Sequence, residues 1–205
     1  MSQLTIIGNA SGTGTLTVAA PNTNSDYTLT LPQITDTILT ATGDGSGLTG
    51  MASLTPLTEQ ATTSGTEKDF VVPAGCTRIT ILFNGVSCTT VNDVLVQLGD
   101  AGGVETTGYL STTAMTGSGG NNSTDSTAGF NIRVSAIANA IIGTMVLIRT
   151  SGNTWIGSHS ARAVAAFGIT GGGNKTTSAE VTTLRVACSG ASTFDAGAVN
   201  VVMEL

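Results

Sequence analysis

The sequence predicts an all-β protein: a short N-terminal β anchor followed by a C-terminal antiparallel β-sandwich of jelly-roll type. Three observations carry this. Among the 205 residues Thr is the commonest, with 37 copies beside 27 Gly, and only 10% of residues are charged. Short runs of β-branched residues recur, separated by Gly, Asn, Asp and Ser. No segment shows the 3.6-residue apolar period, capping box or i,i+4 charge pairs of a helix.

Thr15-Leu16-Thr17-Val18 alternates apolar and polar residues as a half-buried strand does. Pro21 to Asp26 is a dense turn signal, after which Tyr27-Thr28-Leu29-Thr30-Leu31 alternates again and Thr37 to Thr40 forms a third short run. This segment carries too few apolar side chains to bury a core by itself. It is expected to lean on other copies of the chain or on a larger body. Residues 1–45 are therefore read as an anchor or trimerisation segment, residues 46–66 as a Gly/Thr-rich linker, and residues 67–205 as the sandwich. Gly43 to Gly50, with four glycines in eight residues, marks the joint.

Eight strands are expected beyond Lys68. They begin with Phe70–Val72, Arg78–Phe83, Val94–Leu98 and Phe130–Val134. Thr144–Arg149, Ala163–Phe167, Leu184–Ala187 and Val199–Met203 complete the set. Residues 117–126, with Asn121 and Asn122, read as a long polar surface loop of the kind that carries recognition on a sandwich.

Composition excludes some classes. A net charge of −6 with 40% hydrophobic residues is not the signature of disorder. Seven Lys and Arg, none before Lys68, supply no basic patch for nucleic acid. The N-terminus has no secretory-signal pattern, and the 13-residue apolar stretch from Ala136 to Ile148 is too short to span a membrane. Three cysteines, Cys76, Cys88 and Cys188, read as small buried residues made in a reducing cytoplasm rather than as a disulfide framework.

Chemistry-bearing patterns are thin. Gly168 to Thr176 imitates a phosphate loop, but Asn174 stands where the motif needs Lys, so a glycine-rich hairpin explains it better. His159 with Asp195 could supply two members of a triad, yet no Gly-x-Ser-x-Gly elbow is present and a surface position is expected. Asp93, Asp100 and Glu105 could converge for glycoside hydrolysis or calcium, although Asp100-Ala101-Gly102-Gly103 reads first as a turn. Trp155 is a core plug or a sugar-stacking platform. No catalytic, metal or cofactor residues are assigned.

Two stretches resemble known proteins. Gly12 to Asn24, with Tyr27 to Pro32 and Thr37 to Thr40, resembles a strand-turn-strand segment of tailed-bacteriophage fibre and other virion proteins that ends in a TLPxxTGTLLT-type phrase; Asp36 replaces the usual Gly. Ile79 to Ser87 through Leu95 to Tyr109, closed by Phe194 to Val201, is similar to a module of phage tail-fibre-like proteins. The resemblance implies a non-enzymatic homotrimer in a virion, a short fibre or decoration protein bound to capsid or tail proteins through Leu16, Val18, Tyr27, Leu29 and Leu31. It would be made in the host cytoplasm without a signal peptide, and would use neither cofactor, nucleic acid nor membrane insertion. The alternative is an adhesin tip that contacts host glycan through Asn121, Asn122, Trp155 and His159.

Overall fold

The computed structural model describes residues 54–117, 120–132, 140–163 and 167–205. All regular structure among them is β. The strands are β1 (Leu54–Pro56), β2 (Gln60–Ala61), β3 (Glu67–Val71), β4 (Arg78–Cys88), β5 (Val94–Asp100), β6 (Gly103–Val104) and β7 (Leu110–Gly117). They continue with β8 (Gly120–Ser126), β9 (Phe130–Ile132), β10 (Ile141–Ser151), β11 (Thr154–Ala163), β12 (Phe167–Thr176), β13 (Thr183–Cys188) and β14 (Phe194–Glu204).

Two antiparallel sheets result. The larger runs β1-β14-β4-β10-β11-β12-β7-β8, with β2 also paired to β14; the smaller runs β3-β13-β5-β6, with β9 also paired to β5. Their apolar faces share one core. From the larger sheet come Ile79, Ile81, Phe83, Met145, Leu147 and Trp155; from the smaller come Phe70, Val94, Val96, Leu98 and Leu184. Each set follows from period-2 alternation: in β4, Ile79, Ile81 and Phe83 point inward while Arg78, Leu82 and Asn84 point out.

That alternation breaks where two glycines meet. Gly85 and Gly197 adopt φ of +72° and +88°, and the β4–β14 register shifts beside them. A Cβ on Gly197 would lie 2.3 Å from the Gly85 carbonyl oxygen, so only glycine permits this close approach. Past the bulge, Val86, Ser87 and Cys88 are buried in succession.

Several expectations need correction. The sheet begins inside the stretch read as linker, since β1 and β2 pair with β14. Of the strand expected over Ala163–Phe167, Ala163 ends β11 and Phe167 begins β12, paired antiparallel, and 164–166 lie outside the described residues. The loop expected over 117–126 is mostly strand: Asn121 and Asn122 stand on β8, paired with Thr116 and Met115 of β7. Gly168 to Thr176 is no hairpin but a single strand, bonded on both sides by β11 and β7. The next element after it is the strand β13, not the helix that a phosphate loop requires.

Cys88 and Cys188 form a disulfide, which contradicts the reading of all three cysteines as reduced. The end of β4 and the end of β13 lie in different sheets, so the bond staples the two layers. Sequence separation alone gives no hint of this, because 100 residues intervene. Cys76 remains a free buried thiol, whose pKa burial pushes up.

Candidate functional site

His159 projects from β11 into the interior, 6% exposed, rather than onto the surface. Its Nε2 lies 3.1 Å from the Thr113 hydroxyl of β7. Burial pulls its pKa down to about 4, so the ring is neutral near pH 7. Asp195 of β14 takes a hydrogen bond from the Ser87 hydroxyl instead. Strands β14 and β11 are separated by β4 and β10, which puts their axes about 14 Å apart at ordinary strand spacing. The sequence pairing of His159 with Asp195 is therefore absent, and neither His159 nor Trp155, 2% exposed, is available to a receptor. Trp155 is the core plug.

Asp93 stands apart from Asp100 and Glu105, which meet at Ser178: its hydroxyl donates to Asp100 and its N–H to Glu105. Asp93 precedes β5 and Asp100 ends it, so seven residues of extended chain, about 23 Å, divide them. A glycosidase pair must lie within about 10 Å. Asp93 accepts from the Asn131 amide at 2.9 Å. Asp100 closes the expected turn, with the Gly102 N–H donating to its Oδ1 at 2.7 Å and the Ser178 hydroxyl donating to Oδ2. The Ser178 bond, then the Gly102 N–H, holds the Asp100 carboxyl below the usual range.

Glu105 belongs to a tie between the sheets. The Lys175 ammonium of β12 lies 2.5 Å from its carboxylate, donates to the Thr107 carbonyl at 2.9 Å and stands 5.1 Å from the Tyr109 ring centre. Ser178 N–H donates to Glu105 at 2.7 Å. Burial raises the Glu105 pKa, but Lys175 and Ser178 more than offset that and leave it below its ordinary value. The Tyr109 hydroxyl donates to the Glu105 carbonyl at 3.0 Å and accepts the Leu98 N–H at 2.7 Å, while its ring meets Phe130 edge-on at 5.3 Å. Burial drives the Tyr109 pKa well above its usual value. These residues serve one another; the cluster is a polar joint inside the sandwich.

Asn121 and Asn122 are exposed on the edge strand β8. With Ala114, Met115, Thr116 and Ser123 they line an open depression of about 180 Å³. Leu16, Val18, Tyr27, Leu29 and Leu31, the expected virion anchor, lie outside the described residues.

The chain matches no protein-family model, no curated protein and no solved structure. The site must therefore be sought in the geometry. What sequence reading missed is the outer face of the large sheet. Ile148 and Ile156 are direct cross-strand partners there, 50% and 51% exposed, with Leu82, Ile142 and Leu110 on the same face. Leu54, Arg78, Thr80, Leu82, Val202 and Glu204 frame a shallow depression of about 300 Å³ beside them. The alternation of these strands carries the signal in principle: an outward set in which aliphatic and hydroxyl-bearing residues outnumber the charged ones.

Proposed function

We propose that this chain is a non-enzymatic structural protein of a bacteriophage particle, a short trimeric fibre or decoration protein held to capsid or tail through its N-terminal segment. The observation that carries the reading is the resemblance of Gly12 to Thr40 and of Ile79 to Tyr109 to phage fibre segments. The structure is compatible with it in one specific way. The His, Lys and carboxylate side chains that could have served chemistry are each engaged in holding strands together: His159 with Thr113, Lys175 with Glu105, Asp100 with Ser178. A stiff sandwich of this kind suits a projecting body.

The adhesin alternative narrows to the β7–β8 edge, where Asn121 and Asn122 keep their amides exposed. Trp155 and His159 contribute nothing to it.

Immunogold microscopy with antibodies against residues 54–205 tests the reading. Label at a fixed position on phage particles made with the full chain, lost when residues 1–45 are deleted, is the expected result. Particles that never carry the label would overturn it. A glycan array separates the alternative: selective binding abolished by Asn121→Ala with Asn122→Ala would favour an adhesin tip.

A further inference from the structure

We infer that the outer face of the nine-stranded sheet is the surface through which copies of this chain pack on one another, with Ile148 and Ile156 on its two central strands. This rests on the reading of the protein as a self-assembling structural component and names the surface that does it.

The face is ordered and broad. From β14 through β4, β10, β11 and β12 to β7, consecutive strands are hydrogen-bonded in register, and four outward rows cross them. Six strands at about 4.8 Å and four rows at about 6.7 Å give roughly 800 Å², the area one partner contributes to a standard stable interface. Five large aliphatics stand exposed on it: Leu82 at 37%, Ile142 at 46%, Ile148 at 50%, Ile156 at 51% and Leu110 at 69%. Ile148 and Ile156 face each other directly, and Ile148 is also opposite Arg78. Between the aliphatics stand Thr144, Ser158, Ser160 and Thr170, with Gly168 and Gly172, short residues that let a second sheet approach closely. Ile148 and Ile156 make one contiguous aliphatic pair, with Leu82, Ile142 and Leu110 spaced around it among short or polar residues.

Charge selects the occupant. The chain carries −6 overall, so copies repel one another on average. This face is exempt. Arg78 pairs with Glu204 at 3.9 Å, and two further outward charges, Arg162 on β11 and Asp125 on β8, sum to zero. A basic or acidic partner would find no complementary field here, whereas the same neutral face on another copy matches it in polarity and area.

Light scattering on the full chain, with hydroxyl-radical footprinting of the same samples, tests this. Wild type is expected above the mass of one chain, with Ile142, Ile148 and Ile156 labelled at least five-fold less than the exposed Val71 of β3, which lies in the other sheet at 79% exposure. Ile148→Lys with Ile156→Lys should lower the mass or, if other segments still hold the copies, raise labelling at Ile142 to the level of Val71; Val71→Lys should change neither. Circular dichroism checks that each variant stays folded, and a folded Ile156→Ser serves where the double lysine variant is not. A wild-type assembly whose Ile148 and Ile156 label as strongly as Val71 would overturn the inference while leaving assembly intact. Protection of the face in a species of single-chain mass would also overturn it, giving the face to residues 1–53. Placement on the particle is read separately by microscopy, so either idea can fail alone.

Discussion

Lys175 and Glu105 form a tight ion pair, 2.5 Å from nitrogen to oxygen, between β12 of the large sheet and the segment that follows β6 of the small one. The lysine side chain is 6% exposed and the glutamate 21%. An ammonium so enclosed persists because three neighbours serve it: the carboxylate, the Thr107 carbonyl and the Tyr109 ring. Lys175→Met removes those interactions and leaves Glu105 with only the Ser178 contacts among those described. We expect a loss of about 2 kcal/mol in urea unfolding, the scale of a charge-assisted hydrogen bond. Adding Glu105→Leu should recover part of it, since the stranded charge goes too.

His159 makes stability depend on pH. Its folded pKa of about 4 lies below the ordinary 6.5, so between those values the unfolded chain binds the proton and the folded chain does not. Stability is therefore full above pH 6.5 and declines as pH falls toward 4, by about 3 kcal/mol from a difference of about 2.5 in pKa. Urea midpoints measured from pH 7.5 to 4 should follow this slope, and His159→Gln should flatten it. Asp100 and Glu105 act lower: their carboxyls sit below their ordinary values, so the stability they add is present above the usual carboxylate range and lost beneath it.

The Cys88–Cys188 bond closes a loop of about 100 residues, for which chain-entropy arguments give roughly 4–5 kcal/mol. Cys88→Ser with Cys188→Ser should lower stability by that order in guanidinium. Alkylation gives an independent reading. Denatured chain from an oxidising preparation should take one label, at Cys76, and three after reduction. Three labels without reductant would mean the thiols stay apart.

Much of this fold is legible in the residues, and the misses share a cause. Phe70, Arg78–Phe83, Val94–Leu98 and Val199–Met203 declare themselves because their inward positions are aliphatic or aromatic. β11 does not, because its inward residues are Trp155, Gly157 and His159, a set that reads as loop. β12 hides behind Gly171, Gly172 and Gly173, and β8 has no apolar residue at all, being an edge whose outward side needs none. The candidate site suffers from the same limit. Alternation tells which side chains share a face, but Asp93 and Asp100 look close in sequence only because a strand is read as a point. Burial of Trp155 and His159 depends on β12 lying beside β11 and β7 beyond it, a long-range pairing that composition does not encode.

The glycines of β12 supply the last prediction. Gly173 pairs with Gly157 on one side and Ser111 on the other. A Cβ there would stand 2.1 Å from the Leu110 carbonyl oxygen and 2.8 Å from the Ser111 Cα, both backbone atoms that cannot step aside alone. Gly171 is equally confined, at 2.4 Å from the Thr112 carbonyl oxygen and from the His159 ring. Gly168, on the outward side of the same strand, would meet nothing nearer than the Thr116 hydroxyl at 3.5 Å, an ordinary contact. If flexibility were the reason for glycine in β12, all three alanine variants would be harmless or mildly stabilising. If crowding is the reason, Gly173→Ala and Gly171→Ala should each lose at least about 2 kcal/mol in thermal or urea unfolding, while Gly168→Ala stays within about 0.5 kcal/mol of wild type. Gly171→Ala carries a second signature, because its new methyl would press on the His159 ring. Its loss should therefore shrink when His159 is also shortened to Ala, whereas the Gly173→Ala loss, set by backbone atoms, should not.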